Sequence, residues 1–320
     1  LEEWDIDYRV FDEVRPNPRI EDAESAAAMA IDGNSEVMVA VGGGSPIDAA
    51  KAAAIVAGGG RDLRACEGEG RLPVAPLPVI AVPTTAGSGS EVTGWSIVTD
   101  VDRKLGIFGR RLFPVLAVAD PVLTTSLPPG PTAWGGMDVL THAVEAYLSR
   151  VANHYSDALA STAVGLVFAN LERAVNQPGD MEARSNMLQA SIMSALAFSA
   201  SGLGAVHSAA EAAGGAYDLP HGQLNGLLLP EAVRCLAPGV GERIEILSRF
   251  AGSDGVDLPR RIESLAERCG LPKELDVLGG EGELRRLVAI TQRDQGLGPR
   301  KLRSDELRRL FSKVLGGGAE

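Results

Sequence analysis

Two patterns of apolar residues divide the chain into regions of different character. In roughly the first 125 residues, the runs 36–41 (EVMVAV), 77–82 (LPVIAV) and 115–119 (VLAVA) are apolar on both faces and end at Gly, Pro or Asp. Such runs are typical of buried parallel strands. Residues 46–58, between the first two runs, predict a crossover helix. The N-terminal side of the chain is therefore predicted to be an α/β region.

From about residue 131 onward, apolar residues recur every three to four positions, which predicts helices. No convincing strand pattern occurs in this part, and the Pro-rich segment 127–131 (LPPGP) is typical of a domain boundary. We expect an α/β domain over residues 1–130 and an all-helical domain over residues 131–320. The predicted helices of the second domain are 138–150, 155–174, 181–200, 260–269 and 304–315.

Composition and charge exclude several classes of protein. The 320 residues are 45% apolar and 22% charged, so the chain can bury enough surface to fold. With 42 acidic and 30 basic residues the net charge is −12, which disfavours nucleic-acid and anionic membrane surfaces. Three cysteines without a short spacing predict no disulfide framework, and neither a signal peptide nor a membrane span is visible. We expect a globular cytoplasmic protein that binds no nucleic acid and no membrane.

A glycine-rich motif, GGGSPIDAAK, follows the first predicted strand and precedes a predicted helix. Free backbone N–H groups and the positive end of the helix dipole favour an anion there, and glycine lets a diphosphate approach closely. The motif is not a G-x-G-x-x-G fingerprint, so a tight turn that merely needs glycine is the alternative.

A second motif, PTTAGSGSEVT, follows the next strand. Short hydroxyl side chains among glycines suit a ribose or a nicotinamide amide, although a capped loop is the alternative. Because the carboxyl ends of parallel strands line one crevice, we expect the two motifs to lie at the same edge of the sheet.

Three of the four histidines join a carboxylate in the third arrangement. Asp138 and His142 are four residues apart and share one helix face, as a pair of metal ligands requires. His207 and His221 supply two more imidazoles, and the glycine pair 214–215 is predicted to end the helix between them. An Asp and three His suit a divalent transition metal. A structural role is the alternative for any one of these histidines alone.

Taken in order, these motifs resemble the iron-containing (group III) alcohol dehydrogenase family. The resemblance rests on GGGSPIDAAK, PTTAGSGSEVT, Asp120-Pro121, GGMDVLTHAVEAYLS and GLGAVHSAAEAAGGAYDLPHGQLNG. It implies an N-terminal Rossmann-like dinucleotide-binding domain and an all-α C-terminal metal-binding domain. It also implies NAD or NADP as cofactor, Fe(II) or, as second choice, Zn(II), a small alcohol or aldehyde substrate, and a homodimer or larger homo-oligomer.

The resemblance also assigns individual residues. Asp138, His142, His207 and His221 would be the catalytic metal ligands. The cofactor diphosphate would be held by Gly43, Gly44, Ser45 and Asp48, and the adenine and nicotinamide portions would be lined by Thr84, Thr85 and Ser88. Lys104 is similar to a family lysine near the nicotinamide ribose.

This sequence departs from the family pattern in two places. Nothing in it corresponds to the first βαβ unit of the dinucleotide-binding domain, so the residue that separates NAD from NADP is not identified. One helical turn after His207, many members carry another histidine, whereas this chain has Glu211. Glu211 is a further candidate catalytic residue. It could act behind the metal ligands, as an extra ligand, or as a solvated helix residue.

Two other functions are weighed against an alcohol dehydrogenase. A sugar-phosphate cyclase resembling dehydroquinate synthase needs Lys and Arg to grip a phosphate, but between residues 135 and 226 there are only Arg150, Arg173 and Arg184, none beside a proposed ligand. A degenerate, non-catalytic family member is the second alternative.

Overall fold

The structure is a computed structural model that describes residues 2–60, 62–101, 103–252 and 257–316. The chain folds into two compact units. Unit 1 comprises Leu1–Thr84 and Ser90–Asp120, and unit 2 comprises Thr85–Gly89 and Pro121–Glu320. The short loop Thr85–Gly89 thus folds with unit 2, although the residues on both sides of it belong to unit 1.

The strands of unit 1 form two small sheets. They are, in chain order, β1 Met38–Gly42, β2 Gly68–Glu69, β3 Val79–Pro83, β4 Trp95–Asp100, β5 Arg103–Phe108 and β6 Leu116–Ala117. The first sheet has the order β1-β3-β6 and is parallel throughout. In the register of β1 and β3, Gly42 pairs with Pro83. The predicted parallel strands are confirmed. The second sheet has the order β2-β5-β4, in which β4 and β5 are antiparallel.

Two alanine-rich helices, α1 Ile20–Asp32 and α2 Gly44–Ala57, pack against each other in unit 1. Their small side chains allow a close approach. The buried cluster between these helices and the β4–β5 pair includes Ile20, Ile55 and Leu105. α2 is the crossover helix predicted at 46–58, and it ends where the N–H of Gly58 donates to the carbonyl of Ala54.

The sheet β1-β3-β6 leaves apolar side chains exposed on one face. Val39 is 55% exposed, Val41 60% and Leu116 52%. Their neighbours in sequence point the other way, and Ala40 and Ala81 are buried against α2 with Ile47 and Ala54. The uninterrupted apolar runs therefore predicted the strands correctly, while only one face of each strand is buried within this chain.

Unit 2 is helical, and the described residues beyond 131 contain no strand, as predicted. Its helices are α3 Pro129–Leu148, α4 His154–Asn176, α5 Met181–Ser201, α6 Ala205–Tyr217, α7 His221–Phe250, α8 Leu258–Arg268, α9 Glu281–Arg293 and α10 Ser304–Leu315. α3 is the central helix, because α4, α5, α6 and α7 all pack against it.

The helix end predicted at the glycine pair 214–215 is wrong. α6 continues through both glycines to Tyr217 and ends at Asp218, whose φ of 52° is left-handed. Asp tolerates this conformation because its short side chain bonds locally. The chain still reverses between α6 and α7, as the prediction required.

By length and composition, α4 could span a membrane, as could the bent pair of α5 and α6, but 50% of the most apolar window of α4 is buried within the fold. Such burial is typical of a core helix.

Candidate functional site

The central helix α3 carries the first two predicted metal ligands. Asp138 and His142 are both buried, one turn apart on the same face, with 3.8 Å between His142 Nε2 and Asp138 Oδ1. The ring of His142 packs against Phe198 on one side, at 4.7 Å between centroids, and stacks on His207 at 4.6 Å. These contacts hold the imidazole in place.

Helices α6 and α7 bring the other two histidines to the same carboxylate. His207 Nε2 lies 3.7 Å and His221 Nε2 3.9 Å from Asp138 Oδ1. Ligand atoms of Asp138, His142 and His207 all lie within 4.8 Å of one another. Two atoms that each bind one ion at about 2.1 Å are separated by roughly 3–4 Å. The ligand atoms of Asp138, His142 and His207 therefore converge at distances that fit a shared cation. His221 approaches the same carboxylate but is not part of this group, so its role as a ligand stays a prediction.

A buried nitrogen atom of His207 supports this interpretation. His207 Nε2 and His142 Nδ1 are inaccessible to solvent and have no hydrogen-bond partner among the described residues. Buried polar atoms are nearly always paired, so such atoms need an explanation. For His207 Nε2, which faces Asp138, a cation would supply the missing partner. A donor set of imidazole nitrogens and one carboxylate, without thiolate, fits Fe(II), Zn(II) or Mn(II).

The electrostatics of the pocket favour a cation. Burial is the main cause that lowers the pKa of His142 to about 4, so its imidazole is neutral at neutral pH, as a metal ligand must be. Burial opposes ionisation of Asp138, yet the surrounding imidazoles hold its pKa below the usual range. Burial also opposes a charged His207, but Asp138 and Glu145 outweigh it and raise its pKa. The pocket thus holds an ionised carboxylate and stabilises positive charge.

Two residues that the sequence analysis missed complete the pocket. Glu145 is buried on α3 and accepts hydrogen bonds from His207 Nδ1 at 2.6 Å and from the N–H of Val206 at 2.8 Å. Asn225 on α7 donates through Nδ2 to Asp138 Oδ1 at 2.7 Å and also contacts His221 Nε2 at 3.0 Å. Helical spacing could have found both, because Glu145 is seven residues after Asp138 and Asn225 is four after His221.

Glu211 lies one turn after His207 on α6, but its side chain is exposed. The buried group of potential ligands does not include it. This position favours the solvated helix residue among the three interpretations, and a catalytic role for Glu211 stays a prediction.

In unit 1, the two glycine-rich motifs meet at the carboxyl edge of the parallel sheet, as predicted. The N–H of Thr84, directly after β3, donates to the carbonyl of Gly42 at the end of β1, at 2.9 Å. Gly42 has a φ of 154°, and a Cβ there would meet Pro46 Cγ at 2.5 Å. Gly43 caps α2 without a side-chain hydrogen bond, so the first N–H groups of the helix, near Ser45, have no side-chain acceptor at the cap.

Other residues predicted to bind the cofactor have partners inside unit 1. Asp48 Oδ1 accepts a hydrogen bond from Ser90 Oγ at 2.5 Å, and burial raises the pKa of this carboxyl group. Lys104 Nζ donates to Asn17 Oδ1 at 2.7 Å and to Thr99 Oγ1 at 3.3 Å. These contacts fix both side chains in unit 1, and their roles toward a cofactor stay predictions.

Thr85 and Ser88 belong to the loop of unit 2. In this loop Gly87 approaches α3 so closely that a Cβ would meet Gly135 Cα at 3.2 Å, and its carbonyl accepts from Ser191 Oγ at 3.4 Å. The loop is therefore held by α3 and α5, and the cofactor contacts of Thr85 and Ser88 stay predictions.

Comparison with known families covers nearly the whole chain. Residues 1–121 match the family model "Iron-containing alcohol dehydrogenase". Residues 132–315 match the model "Fe-containing alcohol dehydrogenase family, C-terminal". Both the α/β region and the helical region are thus assigned to one family.

Individual relatives agree with this assignment. The chain is 35% identical to alcohol dehydrogenase 4 of Saccharomyces cerevisiae over 290 residues, which is 88% of this chain and 76% of the relative. It is 35% identical to 1,3-propanediol dehydrogenase of Citrobacter freundii over an alignment that covers 98% of this chain and 85% of the relative. These relatives are oxidoreductases that act on CH–OH groups.

Solved structures share the fold over almost the entire chain. A crystal structure of 1,3-propanediol oxidoreductase superimposes with a TM-score of 0.92 at 33% identity, covering 97% of this chain and 85% of that one. Sulfoacetaldehyde reductase from Bifidobacterium kashiwanohense, in complex with NAD+, gives a TM-score of 0.90 at 33% identity, with 97% and 84% coverage. The names of these proteins support an alcohol dehydrogenase over the cyclase alternative. The chain belongs to the iron-containing alcohol dehydrogenase family.

Proposed function

We propose that this oxidoreductase transfers hydride between NAD or NADP and a small alcohol or aldehyde, with one Fe(II) ion, or Zn(II) as second choice, held by Asp138, His142, His207 and His221. The convergence of these four side chains, three of them with ligand atoms within 4.8 Å of one another, carries the proposal. When bound, such a cation acts as a Lewis acid on oxygen and can lower the pKa of a hydroxyl group from its ordinary high value toward neutrality.

The residues around the ion perform the binding and positioning. Asp138 stays ionised and offers a negative charge at a buried position. His142 is kept neutral by burial and stacked in one orientation. His221 is 41% exposed and marks the open side of the pocket, where a small substrate can approach. The geometry therefore favours reaction at the His221 side.

The cofactor is assigned to the glycine-rich edge of unit 1. The diphosphate is proposed to bind the start of α2, because the cap residue Gly43 leaves the first N–H donors to a ligand. Asp48 accepts a hydrogen bond from Ser90, so we propose that it also fixes the end of the second glycine-rich motif. The proposed set is Gly43, Gly44, Ser45 and Asp48 for the diphosphate, Thr84, Thr85 and Ser88 for the adenine and nicotinamide portions, and Lys104 for the nicotinamide ribose. The NAD+ complex of sulfoacetaldehyde reductase, a relative, supports a nicotinamide cofactor.

Replacing His221 tests the proposal. His221→Ala removes one ligand at a partly exposed position, so the fold should persist while metal content and turnover fall together. Metal is measured by elemental analysis of anaerobically prepared protein, and turnover by NADH and NADPH oxidation with short aldehydes. His154→Ala, at an exposed helix start, is the matched control. Full activity of His221→Ala would exclude the assignment, and wild-type protein that binds metal without turnover would indicate a degenerate member.

A cytoplasmic homodimer completes the proposal. The cysteines Cys66, Cys235 and Cys269 are all free and buried, which suits a reducing compartment. The homodimer rests on resemblance to the family, and light scattering of the purified protein measures it directly.

A further inference from the structure

One buried carboxylate connects the helices of the metal pocket without facing the ion. Glu145 is on α3, and its two oxygen atoms reach the first turn of α6. Oε1 accepts from the backbone N–H of Val206 at 2.8 Å, and Oε2 lies 2.6 Å from His207 Nδ1. The carboxylate therefore contacts both the backbone of α6 and the side chain of its metal ligand.

The hydrogen bond to Nδ1 decides which nitrogen of His207 is available. Both oxygen atoms of Glu145 face donors, Oε1 the N–H of Val206 and Oε2 the ring of His207. An ionised carboxylate only accepts hydrogen bonds, so Nδ1 carries the proton. Nε2, which faces Asp138 at 3.7 Å, is then the ring nitrogen left to bind a cation.

Gly204 makes room for this contact. A Cβ at Gly204, the residue that caps α6, would meet Glu145 Oε1 at 2.7 Å and Cδ at 3.2 Å. Any larger residue would push the carboxylate away from Val206 and His207. The close approach therefore depends on two positions from different helices.

We propose that Glu145 is a positioning residue that fixes the tautomer and ring orientation of His207 and thereby raises the affinity of the pocket for its divalent ion. The inference rests on the proposed metal site. It adds that the affinity depends on a residue that does not bind the ion.

Glu145→Gln tests the role at nearly constant volume. Glutamine offers one acceptor oxygen to two donors, so either Val206 or His207 loses its partner. We expect the affinity for Zn(II), used as the probe ion and measured by competition with a chromophoric chelator, to fall about 10- to 100-fold. We also expect the downfield NMR signal of the His207 Nδ1 proton to disappear in the metal-free protein.

Glu231→Gln is the matched control for a merely structural effect. Glu231 is also buried in unit 2 and pairs with Arg309 and Lys313, but it contacts no proposed ligand. This variant should lose stability and keep its Zn(II) affinity. An equal loss of affinity in both variants would overturn the inference.

Gly204→Ala provides an independent variant should Glu145→Gln fold poorly. The added methyl group displaces the carboxylate while leaving it in the chain, so Zn(II) affinity should fall in the same direction. If wild type, Glu145→Gln and Gly204→Ala all bind one Zn(II) with equal affinity, the inference is wrong but the proposed metal site still stands. If wild type binds no Zn(II) or Fe(II), the proposed function itself fails.

Discussion

At the scale of single residues, buried Lys51 fixes a stretch of backbone in unit 1. It is 0% exposed, and its ammonium donates to the carbonyls of Ser90, Thr93 and Trp95 at 2.5–2.8 Å. Burial lowers its pKa to about 8, opposed by the nearby carboxylates of Asp48 and Glu91. Lys51 therefore holds the end of the second glycine-rich motif and the start of β4 against α2.

Lys51→Met should destabilise the protein by about 3 kcal/mol, because buried carbonyl groups lose their donor. The measurement is the free energy of unfolding in urea. Lys104→Met removes a partly exposed lysine from the same unit and should cost less than about 1 kcal/mol. Equal losses in the two variants would contradict the importance of the buried contacts.

Sequence spacing and the rarity of histidine singled out Asp138, His142, His207 and His221, and the structure brings the ligand atoms of the first three together. Glu145 was missed although its spacing from Asp138 places it on the same helix face. A glutamate among helix formers resembles any solvated residue until its burial is known. The roles of Asp48 and Lys104 depended on where their side chains point, which spacing along the chain does not determine.

At the scale of elements, close approach between α3 and α7 sets the geometry of the pocket. A Cβ at Gly222 would meet the carbonyl oxygen of Trp134 at 2.2 Å and Asp138 Cβ at 3.2 Å. Gly222 directly follows His221, so the start of α7 can lie against α3 only because this position has no side chain.

Gly222→Ala should therefore move the start of α7 away from α3, with a cost of about 1–3 kcal/mol in unfolding free energy and a lower affinity for Zn(II). Gly215→Ala is the control, since a Cβ there meets nothing within 4 Å. The control should gain about 0.5–1 kcal/mol from helix propensity. Unchanged Zn(II) affinity in Gly222→Ala would refute this account of the pocket.

Elements with a single clear periodicity were the ones that the sequence could predict. The apolar runs gave β1 and β3, and the helical spacing gave α4, α5 and α10. The hairpin of β4 and β5 was missed because it mixes buried Val98 and Leu105 with polar residues at its sheet positions. α7 contains Pro230 and Pro238, which normally interrupt a helix, and its pattern is broken by a kink at Val240.

At the scale of the whole molecule, ion pairs between helices connect the end of the chain to the rest of unit 2. Glu263 on α8 pairs with Arg234 on α7 at 2.7 Å and with Lys313 on α10 at 3.1 Å. The hydrogen bond from Arg234 is the largest cause that lowers the pKa of Glu263 from 4.5 to about 2.

This shift predicts a pH dependence of stability. Because the pKa is lower in the folded state, Glu263 contributes stability above its unfolded pKa of about 4.5, and the contribution is lost as the pH falls toward 2. Glu263→Gln should thus be less stable than wild type at pH 7, and the difference should vanish in acid. Urea unfolding across this range is the measurement, with exposed Glu245→Gln as control. A difference that persists below pH 2 would contradict the ion-pair origin.

The excursion of Thr85–Gly89 makes the polypeptide pass between the two units three times. A fragment starting at Pro121 would lack Gly87, and with it the contacts to Gly135 and Ser191. A single backbone cut after Asp120 therefore leaves unit 2 without one of its segments. Transferring unit 2 to another protein therefore requires that the pentapeptide Thr85–Gly89 be grafted along with it.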